Sequence, residues 1–206
     1  MTLLLRGEGL RWRNGDGRLD FAIPAGARII VVGGSPERRL AFRDLIGGRG
    51  RGGFEAGRLF WKGMPAETLS ARRRRAWRRS VAGLWSDPST SLLPQARPIS
   101  LLREVGGRGA SVERFVDLAH LPRSAVAWPV SALSGVMRAH LLYALALMRA
   151  PALLTIGDLS PFFAEEVWDD LLRRWLERCP PRVALVAFVP RPLPRLEADE
   201  CISLDF

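Results

Sequence analysis

The chain has 206 residues, 48% of them hydrophobic and 25% charged, the composition of one globular domain rather than of a disordered or membrane-embedded chain. A chain of this length buries roughly two-thirds of its unfolded surface on folding. The formal net charge is +10, and Lys62 is the only lysine among 31 basic residues, a skew that reads in part as the codon bias of a GC-rich genome and otherwise admits nucleic acid, an anionic membrane surface or an acidic protein as partner.

In chain order, "MTLLLRGEGL" carries an apolar patch far below a signal-peptide core. "GLRW" and "RLDFAI" are strand candidates separated by "RNGDG" (13–17), whose Asn-Gly and Asp-Gly pairs favour tight turns. "RIIVVGG" (28–34) is a continuous apolar run suited to a buried parallel strand. Residues 37–46, "ERRLAFRDLI", place Leu40, Phe42, Leu45 and Ile46 at helical spacing, and Gly47-Gly48 stops the helix. After the glycine-rich link at 48–53 comes another strand, "GRLFWKG". "SARRRRAWRRSVAGLW" (70–85) reads as helix then strand, followed by the polar segment "SDPSTSLLPQARP" at 86–98. Helices are expected over 111–120 and 133–149, and an amphipathic helix over 164–178 with Glu165 and Glu166 at its positive dipole end. "ALLTIGD" (152–158) and "RVALVAFV" (182–189) are further buried strands.

This alternation indicates an α/β protein with a mainly parallel sheet and an antiparallel N-terminal part. The longest apolar run, "LLYALALM" at 141–148, is too short to span a bilayer, so a cytoplasmic location is expected. Cys179 and Cys201 have no metal-ligand spacing and are expected to be reduced; His120 and His140 fall on expected helices without a ligand partner, so no metal site is expected.

In this order, the segments resemble the nucleotide-binding domain of ATP-binding cassette (ABC) ATPases over almost the whole chain. "LSGVMRAHLLYALALMRAPALLTIGD" (133–158) matches the family's L-S-G-G-Q signature, its Ala-Leu-Ala helix, a proline and the Walker B strand, with Leu133, Ser134, Gly135, Arg138, Ala144 and Pro151 in place without a gap. "VAGLWSDPSTSLLP" (81–94) is similar to the Q-loop of the oligopeptide and nickel importer branch, with Ser86 at the glutamine position. "PAGARIIVVGG" resembles the approach to Walker A, and "EADECISL" (197–204) the strand after the switch loop. The resemblance implies a single P-loop NTPase-like domain over 1–206, with a small helical subdomain at roughly 96–150.

It also shows departures. A P-loop, G-x-x-x-x-G-K-[ST], wraps backbone N–H groups around phosphate, its lysine reaching the β/γ oxygens and its hydroxyl holding Mg²⁺. The corresponding position here is Gly33, Gly34 and Ser35 with Arg38 and Arg39, in "VVGGSPERRLAF". The second glycine, the lysine and the hydroxyl are absent, Pro36 removes a donor, and loop plus helix are two residues short, about 7 Å of extended chain. Arg38 and Arg39 are therefore expected as surface or interface charges. Gapless matching puts Gly157 at the Walker B aspartate and Asp158 at the catalytic glutamate, and a one-residue shift makes Asp158 the Walker B aspartate; either way one carboxylate is left where two are needed. The switch histidine would fall near Val189, and the D-loop is Pro161–Ala164. These losses argue against hydrolysis by this chain alone, so no cofactor is required, and ATP with Mg²⁺ is expected only at a composite site shared with a partner.

Other features have two readings each. Ser134-Gly135 either completes the ATP site of an intact partner, as signatures do in paired ABC domains, or is an ordinary helix N-cap. Trp12 stands where the family stacks an aromatic on adenine, or it packs at an interface. The run Arg72–Arg75 with Arg78 and Arg79 reads as a solvated face, and a nucleic-acid partner is not expected. Seven tryptophans point to an interface. The reading is a pseudo-ATPase subunit that dimerises with an intact ABC ATPase and docks on a membrane permease at the inner face of the membrane, through a groove including Trp85–Pro94. The alternatives are a scaffold subunit of a soluble complex and a weak ATPase with a rearranged loop.

Overall fold

Two sheets and six helices are seen in a computed structural model, which describes residues 2–13, 17–51, 53–107, 111–118, 120–192 and 198–205. Strands β1 (Leu3–Trp12), β2 (Arg18–Pro24), β4 (Phe54–Trp61) and β5 (Met64–Pro65) form an antiparallel sheet in the order β2-β1-β4-β5. The turn expected at 13–17 lies mostly outside the described residues. Strands β3 (Arg28–Val32), β6 (Val81–Leu84), β7 (Leu153–Ile156), β8 (Ala184–Val189) and β9 (Glu200–Ser203) form a parallel sheet in the order β6-β7-β8-β3-β9.

Every residue of β7 and β8 is buried, as expected of parallel strands covered on both faces. Alternate side chains serve two cores. Ile29, Val31, Val186 and Phe188 pack on one face with α1 (Pro36–Ile46) and the antiparallel sheet. Ile30, Val32, Leu154, Ile156, Leu185 and Ala187 face the other way. They pack among α3 (Pro98–Gly106), α4 (Val112–Leu118), α5 (Gly135–Met148) and α6 (Glu165–Arg178). The basic helix α2 (Ala71–Arg79) buries only Trp77.

Four helices start on serine caps: the Oγ of Ser35, Ser70, Ser111 and Ser134 accepts the amide of Arg38, Arg73, Arg114 and Met137, respectively. The acidic first turn of α6 starts without a side-chain cap, and Glu165 pairs with Arg191. Three expectations change. α3 occupies a stretch where no helix was expected, starting on Pro98 behind an uncapping Arg97. His120 lies in a turn after α4 at φ +56° rather than on a helix. Of the seven tryptophans, only Trp128 is a largely exposed one, at 44%; Trp61, Trp77, Trp168 and Trp175 are core residues, so they fill the interior rather than mark an interface.

Candidate functional site

The parallel strands end together at Val32, Leu84, Ile156, Val189 and Ser203, and the turn expected to bind nucleotide lies just beyond β3. β9 pairs with β3 so that Val32 faces Ser203; two residues further on, Asp205 comes opposite Gly34. Its Oδ1 accepts the Gly34 N–H at 2.7 Å. Gly33 and Gly34 have φ of +71° and +69°, and a Cβ on Gly33 would stand 1.9 Å from the Asp205 carboxylate. Only glycine allows both the left-handed backbone and that close approach.

Only Gly34 and Ser35 separate Gly33 from α1, which begins at Pro36; the phosphate-loop pattern has four residues before its second glycine. Pro36 carries no donor, and the Arg38 amide is held by Ser35 Oγ at 3.3 Å. Hydrogen bonds from the Ser35 hydroxyl and its own amide keep the Glu37 carboxyl below the usual carboxylate range.

Arg38 and Arg39 turn inward, correcting the expectation of surface or interface charges. Arg39 donates to the Gly34 carbonyl at 3.0 Å and, more weakly, to that of Gly33 at 3.5 Å. It also lies 3.9 Å from Asp158 Oδ2, and both side chains are only 17% exposed. Arg38 donates to the Leu204 carbonyl at 3.0 Å, with its guanidinium 5.9 Å from the Trp12 ring centroid. Trp12 meets Phe54 edge-to-face at 5.3 Å, so its ring is engaged by an arginine and a phenylalanine of this chain.

Asp158 follows β7. Its Oδ1 accepts the amide of Ser160 at 3.1 Å and its hydroxyl at 2.6 Å. The preceding Gly157 donates to the Leu84 carbonyl at 2.7 Å, and a Cβ there would stand 2.7 Å from the Trp85 ring. Trp85 is itself fixed by an indole hydrogen bond to Thr155 Oγ1 at 2.9 Å and by an edge-to-face contact with Phe188. Ser86 follows, and lines a groove of about 520 Å³ between β6, α3 and α5. The next segment is a tight turn built on Asp87, whose carboxylate accepts the Ser89 amide and hydroxyl; the Ser89 hydroxyl is the main cause holding that carboxyl below its ordinary range.

At the start of α5, Leu133 is buried and Ser134 is exposed, its Oγ accepting the Met137 amide at 3.2 Å. Gly135 faces Phe163. Arg138 ties the preceding turn by donating to the carbonyls of Val130 and Ser131. Val189, at the expected switch position, is fully buried. The histidines lie elsewhere, with ring centroids 6.0 Å apart. His140 Nδ1 accepts the Trp175 indole N–H at 3.1 Å, and burial pushes its pKa down to about 4. No group of three or more metal-ligating side chains gathers among the described residues.

The structure thus brings Gly33, Gly34, Ser35, Arg38, Arg39, Asp158 and Trp12 into one neighbourhood, with Ser86 one residue past Trp85, and places Leu133, Ser134 and Gly135 at the start of α5. Asp205 and Leu204 belong to this neighbourhood and were missed. This turn does not fit a polyphosphate as it stands. The amides of Gly34 and Arg38 are taken by a carboxylate and a hydroxyl of the chain, and the Asp205 carboxylate lies against Gly33. An anion there would meet like charge and find few free donors.

No protein-family model matches the sequence, and no curated protein sequence matches it. Solved structures do. CbiO1 of Clostridium perfringens, part of the ABC transporter complex CbiONQ, superposes with a TM-score of 0.72 at 15% identity over 93% of this chain and 80% of its own. A bacterial Atm1-family ABC exporter with ATP bound gives 0.70 at 16% identity, covering 99% of this chain and 37% of the exporter. The ATP-binding cassette MJ0796, a dimer bound to ADP and Pi after hydrolysis, gives 0.63 at 15% identity over 92% of this chain and 88% of its own. The fold is that of an ABC nucleotide-binding domain, with a parallel sheet, an antiparallel sheet and flanking helices.

Proposed function

We propose that this chain is an ABC transporter ATP-binding-type subunit that does not itself hydrolyse ATP and works by pairing with an intact ABC ATPase and a membrane permease. The observation that carries this reading is the occupied turn after β3. A carboxylate of the chain, Asp205, sits on the Gly34 amide, and Arg39 spans the turn's carbonyls and Asp158. The folded domain is retained while the phosphate position is filled from within. The fold supports the transporter setting, since the matched CbiO1 is part of an ABC transporter complex. The Q-loop-like run at 81–94 favours the oligopeptide and nickel importer branch.

In this reading Ser134 and the start of α5 complete the ATP site of the intact partner, facing its γ-phosphate across the dimer. Tagged protein isolated from its native cell is expected to bring down an intact ABC ATPase and a permease. The isolated chain is expected to show no Mg-ATP turnover. In the reconstituted pair, Ser134→Ala should depress turnover at least tenfold, whereas Ser134→Asp, which restores the cap but adds negative charge, should recover helix stability and not turnover. Recovery of soluble enzymes without any membrane protein would replace this reading with the scaffold. Turnover by the isolated chain would replace it with the rearranged-loop ATPase.

A further inference from the structure

The free edge of β6 borders a hollow of about 310 Å³, separate from the turn after β3 and lined by Arg43, Arg49, Arg78 and Arg149 together with Ser86 and Gly83. The four arginines come from four places in the chain: α1, the loop after it, the end of α2 and the C-cap of α5. Arg43 is compensated by Asp44 at 2.8 Å. Arg49, Arg78 and Arg149 are exposed, and among the described residues they make no ion pair or side-chain hydrogen bond and no carboxylate lines the hollow. Three uncompensated guanidiniums facing one concavity repel each other, an arrangement that an anion held between them relieves.

We propose that this hollow is a binding site for a compact anion with two or more phosphoryl groups, free or ester-linked. Two phosphoryl groups carry together about three negative charges near neutral pH, which matches the three unpaired arginines; one carboxylate would leave most of that charge uncompensated. Guanidinium forks match phosphate oxygens in bidentate geometry. An acidic helix, about 10 Å across, does not enter a space of this size. A membrane surface does not reach into a concavity, and among the described residues none of the exposed large apolar side chains lines it to act as an anchor. Arg49 and Arg78 also line a second hollow of about 410 Å³ with Arg74, Glu67, Leu59 and Trp77. Among the described residues its one carboxylate, Glu67, makes no ion pair with either arginine, and the space leaves room for an organic group attached to the phosphates. The site is independent of the pairing proposed above and stands or falls separately from it.

Isothermal titration of the full chain with inorganic pyrophosphate and with ADP, at about 0.15 M ionic strength to suppress diffuse attraction, tests the assignment. Binding in the micromolar range is expected. Arg49→Gln, Arg78→Gln and Arg149→Gln should each weaken it about tenfold, with melting temperature unchanged because all three side chains are exposed. Arg75→Gln on the open face of α2 removes the same charge and should leave binding as it was. Equal affinity for the two probes supports a site that reads phosphoryl groups alone; tighter ADP supports an organic group in the second hollow. Absence of binding, binding lowered no more by the three variants than by Arg75→Gln, or binding of single-stranded RNA without binding of pyrophosphate would each overturn it.

Discussion

Asp205 and Arg39 act as substitutes within the turn after β3. One supplies negative charge to the Gly34 amide, and the other supplies positive charge to the turn's carbonyls and Asp158. Asp205→Ala should lower stability by about 1 kcal/mol, modest because the bond is partly exposed. Asp205→Asn keeps an acceptor and should lose less; both are readable as shifts in the urea midpoint. His140 gives a pH dependence. Its native pKa of about 4 lies below the ordinary 6.5, so the unfolded chain takes up a proton before the native one does. The stability is fully present above pH 6.5 and is lost as pH falls from there toward 4, by about 3 kcal/mol at most. Melting temperatures at pH 7 and pH 4.5 should differ accordingly, and His140→Gln should shrink the difference. Residue identities at the turn were legible from the glycines and "ERR", but the inward bonds of Arg38 and Arg39 were not. They depend on Leu204 and Asp205, which reach the turn only because β9 lies next to β3.

Among the elements, long periodic or fully apolar segments were legible and short irregular ones were not. β3, β7, β8, α1, α5 and α6 fall where apolar periodicity places them. α3 did not announce itself, because Arg97 offers no capping acceptor and its first signal, Pro98, closes a polar, proline-bearing stretch. Helix and strand are joined in one place by a side chain rather than by packing. The guanidinium of Arg28, at the start of β3, donates to the carbonyls of Gly26, Leu176, Cys179 and Val183. This fork knits the end of α6 to the approach to β8. Arg28→Lys cannot reproduce that geometry and should cost roughly 2–3 kcal/mol by leaving carbonyls unpaired, measured by chemical denaturation.

For the whole molecule, the order and separation of the motifs carried the fold at identities where sequence comparison finds no match, since layers and strand order tolerate substitution that motif chemistry does not. Tryptophan usage misled because composition does not say which face a ring occupies. Both cores share one parallel sheet, so the layers should unfold together. The cysteines offer a direct check: Cys201 is exposed, while Cys179 is buried, with desolvation raising its thiol pKa. A thiol reagent should label Cys201 at once in the native protein and Cys179 only at the rate of global unfolding.

The position of β3 between β8 and β9 also constrains how the protein is made. β3 is complete once residue 32 has left the ribosome, yet both of its sheet neighbours lie beyond residue 183. At ordinary translation speeds that interval is on the order of ten seconds or more. Throughout it, "RIIVV" has two bare hydrogen-bonding edges and no partner strand. The segment at the centre of the finished sheet is thus one of the first synthesised and one of the last paired, which makes nascent chains halted before residue 184 the species most in need of a chaperone.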